Sequence, residues 1–495
     1  EWLSDILPEK ATVGIDSFCT SVNLVSHLEG CFAGKEIRIR EVTDVFGELW
    51  LDRPALPDAP VMSLEISCSG RSVQDKLAFV RQFLVDVQSD YALFSSLDEI
   101  AWLFNIRGRD IPYNPLVISY AVVGKESAHL FVKTHKLNRE TAEVLQQAGV
   151  ETVDYHHLFL FLNALQEPAV FSLDPFSLNY AVYNRVASRF SVRENRSPVI
   201  LEKAVKNPTE TAGFRKACLQ DGIALTRFFY WLEKTAGERN IRETEAAEQL
   251  AGFRSACGDY ISDSFPTISA YGKNAALPHY SAIPGKDGVL ERKGLYLLDS
   301  GGQYLYGTTD VTRTVPLGKL TQEERVDYTL VLKGMIALTN CLFPKGTSGA
   351  GFDVVARYAL WRNKKNYGHG TGHGIGHFLC VHEGPQEIRQ NWKEQPFLPG
   401  MVTSNEPAVY LEGQYGIRHE NMLLCTDEGS NAFGEWLGFE TLTLCYFDTD
   451  PLLPELLTEE EKKWLNNYHA LVFDRLSPFL TSEESAWLKT KTAPV

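Results

Sequence analysis

The chain has 495 residues, 44% hydrophobic and 22% charged, which suits a packed globular protein and excludes a disordered chain or a minimal disulfide scaffold. At roughly 150 residues per domain, the length implies about three domains. Lys+Arg 48 against Asp+Glu 63 gives a net charge of −15, so the surface repels phosphate backbones and no nucleic-acid partner is expected.

The nine cysteines are scattered with no CxxC pair, which favours free thiols in a reducing compartment and a cytoplasmic location. No run of about 18 apolar residues exists, so no membrane span is expected. Residues 1–8 carry acids where a leader peptide would carry Lys or Arg.

In chain order, 12–16 reads as a short strand, 22–28 as a helix and 37–42 as a second strand. Block 1–50 is too small to close a core alone. Three prolines in 52–60 mark a linker. From Val73, Leu77, Val80, Phe83 and Leu84 repeat at helical spacing. Strands at 91–94, 116–123 and 129–132 and helices at 140–147 and 179–188 complete an alternating βα block over 58–196.

A boundary near 195–198 precedes a long helix opened by Pro208-Thr209-Glu210, with Asn207 or Thr209 as cap. Strands are expected at 267–271, 294–299, 304–310, 401–406 and 417–425, with helices at 323–342 and 350–361 between them. That mixture predicts an α+β domain with an antiparallel sheet over 197–495. A tail helix spans 459–476. Its Trp464, Tyr468 and Val472 stripe fits a dimer contact or an intramolecular docking face.

The strand ending at Asp299 meets Gly301-Gly302, a candidate turn. A return strand would then carry Tyr306, Thr308, Asp310 and Thr312 on one face, bringing Asp299 and Asp310 together. Taken alone, the two aspartates are better explained as turn or edge residues.

His369 and His373 stand four apart, like a zinc-protease helix pair, but glycine fills alternate positions from Gly368 to Gly376. Each glycine costs a helix about 1 kcal/mol relative to alanine, so a helical HExxH site is excluded. A tight loop that lets backbone approach a ligand fits better. Glu406 closes one strand, and Arg418 and Glu420 share a face of another.

Asp299, Asp310, Glu406 and Glu420 clustered without cations would have to protonate in part. Two divalent cations would balance the four charges, with neutral His373 adding a nitrogen. Such a donor set suits manganese first, and also cobalt, zinc or iron. Two such ions about 3.5–4 Å apart can hold a shared hydroxide and polarise a carbonyl.

The pattern Asp299, Asp310, His373, Glu406 and Glu420 resembles the five-ligand signature of the pita-bread metallopeptidases. The stretches 369–376, 381–385, 97–108 and 278–280 resemble the long-form, eukaryotic cytosolic-type aminopeptidase P family over essentially the whole chain.

The resemblance implies a pita-bread catalytic domain at 197–495 with a helical tail. It also implies a creatinase-N-like α/β domain at 58–196 and, at 1–50, the last part of another such domain. His377 stands where close relatives carry a small polar residue, and is read as a local substitution and not a sixth ligand.

The implied activity is removal of the N-terminal residue from peptides with proline second, by a dimetal-activated hydroxide. The implied cofactor is two divalent ions, Mn2+ first, with Co2+ or Zn2+ as alternatives. The resemblance makes Asp299, Asp310, His373, Glu406 and Glu420 metal ligands and Glu406 also the general base. His279 and His382 become catalytic, His279, His369, His382 and Arg418 substrate-binding, and the assembly a homodimer.

Two other readings stand beside it. Prolidase shares the ligands but cleaves only dipeptides. A non-catalytic pita-bread binding protein would have lost ligands, whereas all five residue types are present here. Methionine aminopeptidases lack the preceding α/β domains.

Overall fold

The computed structural model describes residues 2–42, 44–47 and 49–495; Glu1, Thr43 and Glu48 of the expected first block lie outside the described residues. The chain divides into two units, Glu1–Ile111 with Pro115–Lys203, and Pro112–Asn114 with Ala204–Val495.

In the first unit, strands Thr12–Asp16 and Arg38–Val42 pair in parallel, with Thr12 opposite Arg38. Helix Val22–Phe32 crosses between them, and its cap Ser21 accepts from Leu24 N. A separate six-stranded mixed sheet runs in the order Ser191–Glu194, Val170–Leu173, Tyr91–Phe94, Tyr120–Gly124, Ala128–Phe131, Glu151–Val153. Helix Val73–Asp86 buries Leu77, Val80 and Leu84, each stabilising by about 1.5–3 kcal/mol.

The strand expected from residue 116 begins only at Tyr120. Upstream of it, Ile118 N donates to the Asp110 carboxylate at 2.7 Å, a side-chain bond in place of a ladder bond.

In the second unit, helix Pro208–Thr235 starts from Asn207, whose side chain accepts from Thr209 N and Glu210 N while Glu210 reaches back to the cap. Proline at the first helical position loses no bond, which settles the choice of Asn207 over Thr209. Two antiparallel sheets follow. One orders Ile268–Tyr271, Leu295–Ser300, Val311–Pro316, and the other Phe343–Pro344, Gly434–Thr441, Asn421–Asn431, Val402–Asn405.

Several expected elements are displaced. Gly301-Gly302 does not turn the chain back. Gly302–Tyr304 continues into a second small sheet with Gly307–Thr308 and Tyr260–Asp263. The return strand is therefore Val311–Pro316, and the expected strand 304–310 is a short hairpin. Gly301 serves close packing instead: a Cβ there would lie 1.9 Å from Thr309 O.

The expected strand 417–425 is also two strands. Tyr415–Arg418 pairs with Ala408–Leu411, and Asn421–Asn431 joins the four-stranded sheet. Between them, His419 N bonds to Pro407 O and Glu420 N to Thr312 O, so both leave the ladder.

Tail helix Glu459–Leu476 docks on its own unit. Leu465, Tyr468 and Val472 are buried in the main core, and the Tyr468 hydroxyl donates toward Cys445 O at 2.9 Å and Thr443 O at 3.0 Å. Of the two readings of the stripe, the intramolecular docking face is the one observed, because its tyrosine needs a buried carbonyl partner. Among the described residues, no helix is long and apolar enough to cross a membrane.

Candidate metal centre and active site

Two strand pairs deliver the four carboxylates. In the first sheet Asp299 stands opposite Thr312 and Ser300 opposite Val311, so Asp310 follows directly at the same end. Period-two alternation puts Asp299, Thr312 and Asp310 on one face. In the second sheet Asn405 stands opposite Asn421, and the residues just beyond that rung are Glu406 and Glu420. The bond from Glu420 N to Thr312 O, 3.1 Å, links the two sheets at this corner.

His373 comes from the glycine-rich loop, where Gly372–His373 pairs with Glu387–Ile388. Its Nε2 lies 3.4 Å from Asp310 Oδ2 and 3.5 Å from Glu406 Oε1. Nδ1 is 3.0 Å from Gly374 O. A carbonyl only accepts, so Nδ1 carries a proton and Nε2 is the nitrogen turned to the acids, the one whose lone pair would face a cation once its own proton is displaced.

The glycines are needed for contacts with protein. A Cβ on Gly372 would lie 2.0 Å from Ser404 O, and one on Gly374 2.0 Å from Glu383 O. The close approach expected toward a ligand is made to the protein's own carbonyls. Arg357, ion-paired with Asp353, holds the loop from below by donating to Tyr367 O and His369 O, each at 2.8 Å.

One cavity of about 300 Å³ gathers Asp299, Asp310, His373, Glu406 and Glu420, with His279, His369, His382 and Arg418 also on its wall. Ligand atoms of Asp310, His373 and Glu420 all lie within 4.8 Å of one another.

The His373 and His382 rings are 4.2 Å apart. Arg418 Nη2 donates to Asp299 Oδ2 and Nη1 to the Tyr410 hydroxyl, each at 2.5 Å. Tyr410 in turn meets His369 Nε2 at 3.0 Å, and His369 Nδ1 lies 2.7 Å from Gly370 O, so both nitrogens of His369 are engaged. His377 is buried away from this cavity, with Nδ1 3.9 Å from Glu210 Oε1.

Charge in the cavity is out of balance without cations. Burial first, then repulsion from Asp310 and Asp299, pushes Glu406 up to about 7. Burial and the neighbouring acids raise Glu420 well above the carboxylate range, and burial with Asp299 raises Asp310. Burial opposes charge on His373, yet Asp310 and Glu406 outweigh it and hold the ring at about 9. Withdrawal from water, with His373 nearby, lowers His382 to about 4; burial, with Arg418 and Arg357, does the same to His369. Asp299 Oδ1 is buried with no hydrogen-bond partner. Four acids, one imidazole lone pair and an orphaned carboxylate oxygen fit a pair of hard or borderline divalent cations.

Sequence reasoning did not single out three residues that shape the site. Thr312 Oγ1 donates to Glu420 Oε2 at 2.7 Å. Ser404 Oγ accepts from His373 N at 3.0 Å and donates to Glu406 Oε1 at 3.1 Å. Tyr410 connects Arg418 to His369. Hydroxyls at such positions have no sequence signature; the period-two pattern put Thr312 on the face of Asp310 but gave it no role at the site.

Residues 212–427 match metallopeptidase family M24, residues 52–210 the creatinase/prolidase N-terminal domain, and residues 435–495 the C-terminal region of peptidase M24. The whole chain aligns at 39% identity with 84% of a probable Xaa-Pro aminopeptidase P of Tuber melanosporum. The chain belongs to metallopeptidase family M24.

A second M24 relative, aminopeptidase P1 of Arabidopsis thaliana, is 36% identical over the whole chain and 85% of its own length. Among solved structures, the X-prolyl aminopeptidase of Caenorhabditis elegans superposes with a TM-score of 0.94 at 34% identity, covering 100% of this chain and 82% of that one. It is described as a cytosolic enzyme with a di-nuclear active site. The M24 match thus accounts for the pita-bread sheets, and the creatinase/prolidase N-terminal match for the α/β unit before them.

Proposed function

We propose that the chain is an Xaa-Pro aminopeptidase that removes the N-terminal residue from peptides with proline in the second position. The observation that carries this reading is the convergence of four acids, His373 and the orphaned Asp299 Oδ1 on one cavity, in a chain that aligns over its whole length with a probable Xaa-Pro aminopeptidase P.

Asp299, Asp310, His373, Glu406 and Glu420 would hold two divalent cations, manganese first, with cobalt or zinc as alternatives. Such a pair, when bound, supplies Lewis acidity that stabilises negative charge developing on oxygen.

The protein's own residues do the rest. Glu406, held high by burial and by its acidic neighbours, takes the proton of the attacking water. His382, neutral and open to the cavity, donates a hydrogen bond toward the leaving proline nitrogen, which departs as an amine by taking up the proton that Glu406 removed from water. His279 faces the same cavity and holds the scissile carbonyl oxygen. Arg418 orients Asp299 toward the substrate amine and meets the downstream peptide. His369 lines the substrate side, its nitrogens committed to Gly370 and Tyr410. The scissile bond is a tertiary amide without an N–H, so a site that demands no donor at that nitrogen is required.

The parts divide as 1–50, 58–196 and the catalytic 197–495. The enzyme works in the cytoplasm as a homodimer, with no nucleic-acid or membrane partner. The test compares Xaa-Pro-Yaa peptides with Xaa-Pro dipeptides on protein stripped of metal and reloaded with manganese. Cleavage of the longer peptides supports the reading. Cleavage of dipeptides alone makes the enzyme a prolidase, and no cleavage with any metal refutes it.

A further inference from the structure

The segment that carries His279 to the cavity is tied together by one carboxylate outside the cavity wall. Glu243, the first residue of helix Glu243–Ser255, is fully buried. Its Oε1 accepts from Tyr271 N at 2.6 Å and Asn274 Nδ2 at 3.0 Å. Its Oε2 accepts from the Tyr280 hydroxyl and from Gly288 N, each at 2.7 Å, and from Asn274 Nδ2 at 3.1 Å. An ionised carboxylate offers about four acceptor sites, so this one is saturated.

The donors are distributed in a telling way. Tyr271 and Gly288 are the two ends of the segment, Asn274 lies in its first turn, and Tyr280 is the residue next to His279. On the other side, Arg418 Nη2 reaches Pro278 O at 3.5 Å. Strand Tyr415–Arg418 also lies so close that a Cβ on Gly416 would be 1.8 Å from Ala275 O. Both neighbours of His279 are therefore anchored, while its own ring stays exposed to the cavity.

We propose that Glu243 is a positioning residue: through Tyr280 and both ends of segment 271–288 it aims the His279 ring at the reacting carbonyl. The inference rests on the aminopeptidase reading above for the role of His279, and on the hydrogen bonds alone for the anchoring. Glu243→Gln would set an NH2 donor against donors, whereas Tyr280→Phe removes one hydroxyl and leaves the carboxylate its other partners.

The test uses the manganese-loaded full chain. Tyr280→Phe is expected to lower kcat/KM on an Xaa-Pro-peptide about tenfold and Glu243→Gln about 10²-fold, the scale of an ångström-level misplacement. In a His279→Ala background each should cost less than about threefold, because the group being aimed is gone. Losses that multiply fully in that background overturn the proposal.

A second readout needs no activity. In histidine-labelled protein the His279 Cε1–H resonance, assigned by its loss in His279→Ala, should shift or broaden in Tyr280→Phe while that of buried His469 stays fixed. An unmoved His279 resonance overturns the proposal even where Glu243→Gln fails to fold. Should the wild type cleave no Xaa-Pro-peptide, the aminopeptidase reading falls, and this resonance still decides whether Glu243 sets the ring.

Discussion

Asp299 Oδ2 accepts a 2.5 Å hydrogen bond from Arg418 Nη2, while its other oxygen, Oδ1, is buried without a partner. One oxygen is fixed by the guanidinium so that the other is presented to the cavity. The same guanidinium holds Tyr410, and through it His369.

Arg418→Lys is therefore not conservative. A single ammonium cannot span Asp299 and Tyr410 in the fork geometry that guanidinium provides. Metal affinity should weaken about 10- to 100-fold, the usual cost of losing a group that orients a ligand. Titration of the stripped protein with manganese, followed by calorimetry, checks this; an unchanged affinity contradicts it.

Metal-free protein should lose stability as pH rises. Glu406 sits near 7 in the fold against an ordinary glutamate value of 4.5, so the folded state binds the extra proton between those values. His373 likewise holds its proton up to about 9, against an ordinary 6.5. Both stabilising contributions are complete below the ordinary values and vanish as pH climbs through the raised ones. The thermal midpoint of stripped protein should thus be lower at pH 9 than at pH 7.5, a window above the ordinary histidine value in which His369 and His382, held near 4 in the fold, are neutral in both folded and unfolded states. Bound cations replace those protons, so metal should restore more stability at the higher pH. At free metal a hundredfold above Kd the gain is about 2.7 kcal/mol. Equal midpoints at the two pH values in stripped protein would count against the arrangement.

His382→Ala should remove most of the turnover with the metal content intact, because the His382 ring packs on that of His373, centroids 4.2 Å apart, and is not one of the residues whose ligand atoms converge, Asp310, His373 and Glu420. A general acid or hydrogen-bond donor contributes about 10²–10⁴-fold. Metal analysis beside kcat decides the point, and a parallel loss of metal would make His382 a ligand.

Gly372→Ala should damage the centre without touching any acid. Its Cβ would stand 2.0 Å from Ser404 O, and Ser404 is the residue that joins His373 N to Glu406. Overpacking of this kind costs about 1–3 kcal/mol. Lowered thermal stability together with lost manganese retention is expected. Gly368→Ala, where nothing lies within 4 Å of the added carbon, is the matched control.

The residue types needed for a dimetal site, their order, and the exclusion of a helical HExxH site are all present in the linear chain. So are the long helices, since their 3.6-residue spacing and caps are local: Glu459–Leu476 has the bounds its pattern predicts, and Asn207 caps with Glu210 as the motif requires. Tertiary structure alone decided the register. That Asp310 ends up beside Asp299 through Val311–Pro316, and not through a Gly-Gly turn, depends on residues 302–308 leaving for another sheet. That Glu406 and Glu420 flank one rung depends on the break at His419, where two backbone amides bond outside the ladder. Strand pairing is non-local, and alternation fixes only which face a side chain takes. The hydroxyls of Thr312, Ser404 and Tyr410, and the buried carboxylate of Glu243, gain their roles solely from what the folded chain brings within hydrogen-bond reach of them.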